Sequence, residues 1–394
     1  MKKIFIAEAK RSALGSFQGS LQRMPLVDLG AQVMESVFSN NSIEKAAIEE
    51  VYMGNVLQAG NGQNPARQSA LKAGIPENVP ASTINTVCGS GLHAVGLAYQ
   101  SILSGNAEVA LAGGMESMST APHYLKSMRN GLKLSHGEIL DSVLSDGLTC
   151  PINNYHMGIT AENIAVEFNI SRQEQDEFAV QSQAKAANAQ KLGKFKDEIN
   201  PLMIKTRKEE VVFEEDEFVK PNTTIETLAR LRPCFKKDGS VTPGNASGIN
   251  DGAAAMLVLS EEKCQELSVD PMAIIHGFSL VGLRPDIMGM GPVYAIRKLR
   301  EKLNFVMEDI GLWELNEAFA AQSLAVVKEL GIPSQKINVN GGAIALGHPI
   351  GASGARILVT LLWEMKRTGT RFGVASLCIG TGMGIAMLVE NPTA

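Results

Sequence analysis

The chain lacks the cysteine patterns that mark disulfide-rich and metal-binding proteins. Its 394 residues include only five cysteines, an odd number, widely spaced and without a Cys-x-x-Cys pair. This spacing excludes a disulfide framework, and no His or Cys cluster has the spacing of a metal site, so we expect no metal. A reducing compartment suits such a chain, and we therefore expect a cytoplasmic protein.

Long apolar runs and a positive net charge are also missing. No run approaches the roughly 20 apolar residues that a membrane span requires, and Glu8 interrupts the short apolar stretch at the N-terminus, so no signal peptide is predicted. The formal net charge of -5 gives no indication of a positively charged surface that would bind nucleic acid. The length is typical of two or three domains, and a hydrophobic content of 45% is enough for a sizeable core.

Strands and helices alternate through the first part of the chain. Short buried strands are predicted at 3–9, 51–56 and 109–114, and apolar residues recur with helical spacing at 26–38. A further strand at 83–87 ends at a glycine-rich turn. This alternation favours an α/β fold with mixed sheets covered by helices.

The sequence changes character between about residues 119 and 245. The glycine-punctuated alternation stops there, and long polar helices follow. One helix is predicted at 171–192, because Ser171 and Glu174 have the spacing of a capping box. We interpret this stretch as an insertion on one face of the α/β body.

Two pairs of segments indicate an internal repeat. Residues 250–260 and 380–390 each combine a glycine-containing turn with an apolar strand, and the strand and turn at Cys88 resemble those at 337–342. Two similar halves packed together explain this, and active sites of α/β folds form at such strand ends. Chance similarity between apolar strands is the alternative.

Cys88 lies in the sequence Thr-Val-Cys-Gly-Ser-Gly, where a glycine-rich turn opens a predicted helix. Backbone N–H groups and the helix dipole at such a position favour negative charge, so we expect a lowered thiol pKa and a nucleophilic cysteine. The neighbouring glycines allow a substrate to approach the backbone closely. The alternative is a small buried hydrophobic residue.

Three residues near the C-terminus could complete a site around this thiol. His348, flanked by glycine and proline, is predicted on a tight loop, where its imidazole can take the thiol proton. Cys378 follows a predicted strand and faces glycine N–H groups that can hold an oxyanion, although it could be a core cysteine. Asn316 either caps the following helix or presents its amide to a water or a substrate oxygen.

Four motifs occur in a fixed order along nearly the full chain. They are Val-Cys-Gly-Ser-Gly at 87–91, Asn-Glu-Ala-Phe at 316–319, Gly-His-Pro-Ile-Gly-Ala-Ser-Gly at 347–354 and Cys-Ile-Gly-Thr-Gly at 378–382. Together they make the chain similar to the thiolase family, most closely to its biosynthetic acetyl-CoA acetyltransferase branch. The resemblance implies the thiolase fold, in which two similar halves with mixed five-stranded sheets are layered as α/β/α/β/α and carry an inserted loop domain.

The resemblance also divides the chain. Residues 1–118 together with 250–269 would form the N-terminal half that carries the nucleophile, and 270–394 the C-terminal half with Asn316, His348 and Cys378. Residues 119–249 would form the loop domain, for coenzyme A binding and tetramer contacts. A homotetramer built as a dimer of dimers is implied, with the segment from 119 to 137 as the tetramer-forming loop.

Roles for the site residues follow from the same resemblance. Cys88 is the nucleophile that becomes acetylated, His348 activates it, and Cys378 is the acid/base that deprotonates the second acetyl group. Asn316 holds a water that forms one oxyanion hole with His348, and the N–H groups of Cys88 and Gly380 form the other. A Claisen condensation develops negative charge on two thioester oxygens, so two donor pairs are useful.

The same resemblance implies coenzyme A as a substrate and product along the insertion, not as a tightly bound cofactor. The residues expected to contact it are Leu148, His156, Met157, Lys220, Phe235, Ser247, Met288, Ala318 and Phe319. No phosphate-binding glycine motif is present, so packing and a few polar contacts should hold it, with Lys220 at the nucleotide end.

The implied reaction is the reversible, non-decarboxylating condensation of two acetyl-CoA to acetoacetyl-CoA and CoA, with ping-pong kinetics. A degradative 3-ketoacyl-CoA thiolase of broader chain length is the main alternative. A decarboxylating ketoacyl synthase fits less well, because Cys378 stands where a carbon acid would be deprotonated. A cysteine hydrolase or amidase would leave Cys378 and the insertion without a role, and a non-enzymatic lipid carrier would require catalytic residues to be lost.

Overall fold

The computed structural model describes residues 2–39, 41–134, 136–205 and 209–394. Within these ranges the main sheet contains one hydrogen-bonded path of nine strands: β1 (Ile4–Ser12), β2 (Glu50–Gly54), β3 (Ala81–Ile84), β4 (Val109–Ser117), β5 (Asn250–Ser260), β6 (Ala273–Gly282), β7 (Ile310–Leu315), β8 (Phe372–Ile379) and β9 (Met383–Glu390). Their order across the sheet is β7-β8-β9-β6-β1-β5-β4-β2-β3. Short strands occur at Gly15–Ser16, His123–Tyr124, Leu140–Asp141, Thr149–Cys150, Tyr155–His156, Ile199–Asn200, Leu202–Lys205 and Glu210–Phe213.

The helices of the described ranges cover this sheet. They are α1 (Leu26–Ser36), α2 (Pro65–Lys72), α3 (Ser90–Leu103), α4 (Met157–Glu167), α5 (Arg172–Lys191), α6 (Ile225–Ala229), α7 (Glu261–Glu266), α8 (Gly291–Leu303), α9 (Ala320–Leu330), α10 (Ala343–Leu346) and α11 (Ile350–Thr368). Short 3-10 turns lie at Lys45–Ala47, Met128–Asn130, Pro285–Met290, Met307–Asp309 and Ser334–Lys336, and a π-helical turn lies at Val143–Leu148.

The sheet path consists of two similar halves. In the N-terminal half, β2 pairs with β3 and β4 in parallel, whereas β5 pairs with β4 and β1 antiparallel. In the C-terminal half, β7 and β8 are parallel and β9 pairs antiparallel with β8 and β6. An isolated parallel bridge between Trp313 and Ile337 lies at the place of a fifth strand. The halves join where β1 pairs with β6, and the predicted mixed sheets and internal repeat are confirmed.

Two helices lie between the half-sheets. α3 and α11 contact each other, and side chains such as Leu92 and Leu358 pack in one core cluster with Met256 of β5 and Leu377 of β8. Separate clusters place α1 and α2 on the outer face of the N-terminal half and α8 and α9 on the outer face of the C-terminal half. The layers therefore run α/β/α/β/α, as predicted.

β4 extends beyond its predicted end at 114, because its glycines are required by packing and do not end the strand. A Cβ on Gly114 would lie 2.3 Å from the carbonyl oxygen of Gly351, at the start of α11. The missing side chain therefore lets the central helix lie directly on the strand. The helix predicted at 26–38 ends slightly early, at Ser36.

The insertion contacts both halves of the body. The predicted capping box begins α5, since the Ser171 hydroxyl accepts the Glu174 N–H at 3.2 Å and the Glu174 carboxylate accepts the Ser171 N–H at 2.6 Å. α5 packs against α9 and α10. In β1, the buried guanidinium of Arg11 pairs with Asp216 at 2.7 Å and with Glu198 at 2.6 Å. The division of functions among the three predicted segments stays a prediction.

Candidate active site

Cys88 lies at a strained turn between β3 and α3. Val87 has a φ of 45°, a conformation that β-branched residues rarely adopt. The Ser90 hydroxyl stabilises this turn, because it accepts the Thr86 N–H at 2.8 Å and donates to the Val87 carbonyl at 2.6 Å. α3 begins at Ser90, so Cys88 precedes a central helix, as the sequence predicts.

Gly89 brings this turn against the C-terminal half. A Cβ on Gly89 would lie 2.4 Å from Cδ1 of Ile379, the last residue of β8. A larger residue here would have to displace the Ile379 side chain, and the glycine lets the Cys88 turn lie beside the strand end that carries Cys378.

His348 lies on the loop between α10 and α11, as predicted, and is held by two side chains. Its backbone N–H donates to Oδ1 of Asn250 at 3.0 Å, and its ring Nδ1 lies 2.6 Å from Oγ of Ser353. The Ser353 hydroxyl donates its only proton to the Pro349 carbonyl at 2.9 Å. With its proton in that bond, the hydroxyl accepts from Nδ1–H, and this tautomer has the lone pair on Nε2. Nε2 is buried and has no hydrogen-bond partner among the described residues, so it is the free base of the site.

Burial moves the pKa values of both groups toward their neutral forms. It raises the pKa of Cys88 to about 11, although the backbone N–H groups of Gly380 and Cys88 lower it. It lowers the pKa of His348 to about 3, and the positive charge of Arg356 lowers it further. The predicted low thiol pKa is therefore wrong, because the cost of burying a thiolate exceeds its stabilisation by the N–H groups. The resting pair is a neutral thiol and a neutral imidazole.

Asn316 does not cap a helix. α9 begins at Ala320 with Phe319 as its N-cap, so the capping hypothesis is wrong. The Asn316 N–H donates to the Ser376 carbonyl at 3.0 Å, while both polar atoms of its side chain are buried without a partner in the described part of the chain. A buried amide of this kind is costly unless something else binds it, which favours the predicted role toward a water or a substrate oxygen.

Cys378 is fully buried at the end of β8. It packs in an apolar cluster with Met157, Met288 and Phe319, all of which line the cavity described next. Burial raises the pKa of Cys378, and the neighbouring Cys88 raises it further. The two thiols are therefore close, but neither Cys378 nor Asn316 is among the residues that line the cavity.

An apolar cavity of about 420 Å³ opens at Cys88 and His348. Every residue that the sequence predicts for coenzyme A binding lines it, namely Leu148, His156, Met157, Lys220, Phe235, Ser247, Met288, Ala318 and Phe319, and Gly380 does so as well. Insertion and body thus meet at one cavity. The structure brings the predicted residues together, and their roles stay predictions.

Aromatic rings form one wall of the cavity. Phe235 stacks on the His156 ring at 4.5 Å between centroids and meets the edge of Phe319 at 6.2 Å. Nδ1 of His156 accepts the Gly158 N–H at 3.0 Å at the start of α4. Because burial lowers the pKa of His156, this residue provides a neutral ring surface.

Sequence reasoning missed part of the lining. The residues concerned are Val87, Met118, Gly147, Phe218, Cys234, Pro243, Ala246, Gly248, Ile249 and Ile350. Phe218 lies beneath the Lys220 ammonium, 4.8 Å from Nζ to the ring centroid, and an aromatic residue two positions before a candidate phosphate-binding lysine could have indicated it. The others are small or apolar residues without a chemical signal in the sequence.

Across the described ranges, no group of His, Cys, Asp and Glu side chains has the arrangement of a metal site. No helix in the same part of the chain is long and apolar enough to span a membrane.

Comparison with known proteins gives matches over almost the whole chain. Residues 4–262 match the family model of the thiolase N-terminal domain, and residues 269–391 match that of the thiolase C-terminal domain. The chain is 54% identical over 391 residues to an acetyl-CoA acetyltransferase of Chromobacterium violaceum, covering 99% of this chain and 100% of that protein. It is 54% identical over 392 residues to a "probable acetyl-CoA acyltransferase" of Staphylococcus epidermidis, covering 99% of each.

A solved structure is similarly close. The crystal structure of the Bacillus anthracis acetyl-CoA acetyltransferase superposes with a TM-score of 0.98 at 46% sequence identity and covers 99% of both chains. The fold described above is thus the fold of that enzyme.

Proposed function

The chain belongs to the thiolase family, and we propose that this acyltransferase condenses two acetyl-CoA molecules reversibly to acetoacetyl-CoA and free CoA. The observation that carries the proposal is one apolar cavity lined by the neutral Cys88 thiol and by His348, whose Nε2 is free to accept a proton. The names of the relatives support acetyl-CoA as substrate. CoA enters as substrate and product, not as a resident cofactor.

In the first half-reaction, Cys88 becomes acetylated. Nε2 of His348 takes the thiol proton as the sulfur attacks the thioester carbonyl carbon of acetyl-CoA. The N–H groups of Cys88 and Gly380, which already face the sulfur, stabilise the oxyanion. The bond from carbon to the CoA sulfur then breaks, and Cys378 protonates the leaving CoA thiolate. This leaves an imidazolium, a Cys378 thiolate and acetyl-Cys88.

The second half-reaction restores both groups. The Cys378 thiolate removes a methyl proton from a second acetyl-CoA, and the enolate oxygen is stabilised by His348 and by a water on the buried amide of Asn316. The enolate carbon attacks acetyl-Cys88, the bond from carbon to the Cys88 sulfur breaks, and the imidazolium returns its proton to that sulfur. No carboxylate is lost, which distinguishes this route from that of a decarboxylating synthase.

The cavity wall favours short acyl groups. Met157 and Met288 are 7% and 3% exposed and close the space near Cys378 together with Phe319. A longer acyl chain would have to displace these well-packed side chains at a cost in free energy. The degradative alternative, with longer 3-ketoacyl-CoA substrates, requires that this wall open.

A chain-length series in the thiolysis direction tests the function. Acetoacetyl-CoA should be cleaved by CoA with the highest kcat/KM, and kcat/KM should fall at least about tenfold for a six-carbon ketoacyl chain. Equal values for long chains would favour the degradative alternative, and no thiolysis of any chain would reject both. The Met288→Ala variant serves as the matched test of the wall, since it should recover activity on the longer substrate.

The assembly is proposed to be a homotetramer. The segment from 119 to 137 has exposed apolar side chains, including Met128, Leu132 and Leu134, with Leu134 98% exposed. Residue 135 lies outside the described residues. Exposed apolar residues on one loop favour a partner surface, and a second copy of the chain is the proposed partner. The cytoplasmic location stays a prediction.

A further inference from the structure

Glu116 is a fully buried carboxylate near the active site that the proposed reaction does not use. It lies near the end of β4 and accepts four N–H groups: Oε1 from Asn55 Nδ2 at 2.7 Å and Leu57 N at 3.2 Å, and Oε2 from Val56 N at 3.0 Å and Gly351 N at 2.9 Å. All of these partners are donors, which favours the ionised carboxylate, whereas burial works against it and raises the pKa of Glu116 to about 7. Such charge-assisted bonds are stronger than neutral ones.

The donors belong to two segments that meet beside the cavity. Val56 and Leu57 follow β2 and pack with Ile350 in the apolar cluster that contacts Cys88. Gly351 stands in the first turn of α11, directly after the loop that carries His348. One carboxylate therefore holds the strand ends of the N-terminal half against the helix of the C-terminal half.

Close backbone contacts show that this junction has little freedom. A Cβ on Gly54 would lie 2.6 Å from both the Gly351 carbonyl oxygen and the Gly91 N atom of α3. A Cβ on Gly351 itself would lie 2.6 Å from Oε2 of Glu116. The starts of both central helices, one after Cys88 and one after His348, thus rest on the strand ends that Glu116 holds.

We propose that Glu116 is a positioning residue for the proposed thiolase reaction, because its carboxylate fixes the His348 loop and α11 relative to the Cys88 turn. It touches neither the substrate cavity nor the reacting atoms. A displacement of about 1 Å between nucleophile and base can cost about a hundredfold in rate, so loss of this anchor should lower the rate even when the protein stays folded.

The charge of Glu116 has a second, opposite effect on Cys88. Together with burial it raises the pKa of the Cys88 thiol. The other titratable groups around the cavity are His156, Lys220, Cys234 and His348, and Cys378 packs with residues of its lining. Loss of the Glu116 charge should therefore make Cys88 more reactive toward a simple alkylating agent while it makes acyl transfer slower. General loosening of the fold would also expose the thiol and slow acyl transfer, so the test needs a control variant in which an equally buried carboxylate is replaced.

Glu116→Gln tests the proposal, since it keeps the side-chain shape but turns an amide NH2 toward backbone donors. For folded protein, kcat for thiolysis of acetoacetyl-CoA should fall about tenfold or more, with KM changed less than about twofold, because no cavity-lining residue is altered. Alkylation of Cys88 by iodoacetamide at pH 8, measured on its peptide by mass spectrometry, should accelerate by about threefold or more.

Glu198→Gln is the matched control, because Glu198 is an equally buried carboxylate and is bonded to Arg11 and Thr360. This variant should have a lower Tm, with kcat and the rate of Cys88 alkylation unchanged.

The outcomes separate cleanly. A folded Glu116→Gln variant with kcat within twofold of the parent overturns the proposal, and so does slower alkylation of Cys88. If Glu116→Gln does not fold, Asn55→Ala removes one of the four donors, and unchanged kcat in that variant overturns it equally. If the parent chain cleaves no ketoacyl-CoA, the proposed function fails, and the alkylation rate still decides whether Glu116 controls the Cys88 environment.

Discussion

The Cys88 turn and the His348 loop occupy equivalent places in the two halves, because each directly precedes a helix of the central layer. They are held in different ways. The Cys88 turn is held by backbone bonds within the turn and by the hydroxyl of Ser90, which together keep Val87 in a strained conformation. The His348 loop is held by side chains, through Asn250 and Ser353. The repeat thus provides two similar positions, one built to expose a sulfur near N–H donors and the other to fix a ring nitrogen.

The difference extends to the charge that each position favours. At the Cys88 turn, N–H groups favour a thiolate but burial outweighs them. At the His348 loop, burial and Arg356 both disfavour the imidazolium. The Cys88 thiol and the His348 imidazole are therefore both neutral in the free enzyme. Charge separates between them only when a substrate provides an electrophilic carbonyl carbon. This limits side reactions of the free thiol, since the thiolate is the reactive form.

The largest expected effect compares the two cysteines. Cys88→Ala should abolish both acetylation and turnover. Cys378→Ala should still accept an acetyl group from acetyl-CoA at Cys88, because His348 remains as the base, although more slowly, since the leaving CoA thiolate has lost its proton donor. It should not exchange the methyl protons of acetyl-CoA with solvent deuterium or condense. Peptide mass spectrometry locates the acetyl group, and deuterium exchange reports the carbon base.

Two outcomes would contradict this assignment. Acetyl label on Cys378 in the parent enzyme would exchange the roles of the two thiols. Condensation by Cys378→Ala at near the parent rate would make Cys378 a core residue and leave His348 as the carbon base.

A second prediction concerns the resting charge of the pair. With a Cys88 pKa of about 11, the rate of alkylation by iodoacetamide should rise about tenfold per pH unit between pH 7 and 10 without a plateau, since only the thiolate reacts. The Cys88 thiol loses its proton as pH increases toward its raised pKa, so its reactivity should increase at high pH. A plateau of the alkylation rate near neutral pH would instead indicate a preformed thiolate–imidazolium pair. The Cys88 pKa would then be low, as the glycine-rich turn predicts.

The parts of the fold that sequence predicts well are those set by local pattern. Alternating strands and helices, the capping box at Ser171 and the glycine turn at Cys88 each follow from short-range spacing. The approach of Gly89 to Ile379 and of Gly114 to Gly351 depends on distant segments, so the sequence could show the glycines but not what they pack against.

The chemistry of the site could likewise be predicted only where it depends on residue type. The residue types of Cys88, His348, Cys378 and Asn316 were identifiable, whereas the sign of the Cys88 pKa shift was not. Desolvation depends on how many distant atoms surround a group, and a linear motif contains only the N–H donors. Glu116 was missed for the same reason, since its four donors come from segments far apart in the chain.

The smallest of these expected effects concerns the Ser353 hydroxyl, which accepts the Nδ1–H of His348 and so keeps the lone pair on Nε2. Ser353→Ala removes that acceptor, leaves a buried N–H without a partner and lets the ring turn or change tautomer. We expect kcat/KM to fall about ten- to hundredfold, in acetylation and condensation alike, because His348 serves both steps.

Ser323→Ala is a matched control, because Ser323 is also buried but its hydroxyl has no partner among the residues that the structure describes. If both variants lose activity equally, the loss reflects packing alone and the tautomer argument for His348 fails. A normal rate in Ser353→Ala, with Cys88 still acetylated, would show that the loop backbone and Asn250 suffice to orient the ring.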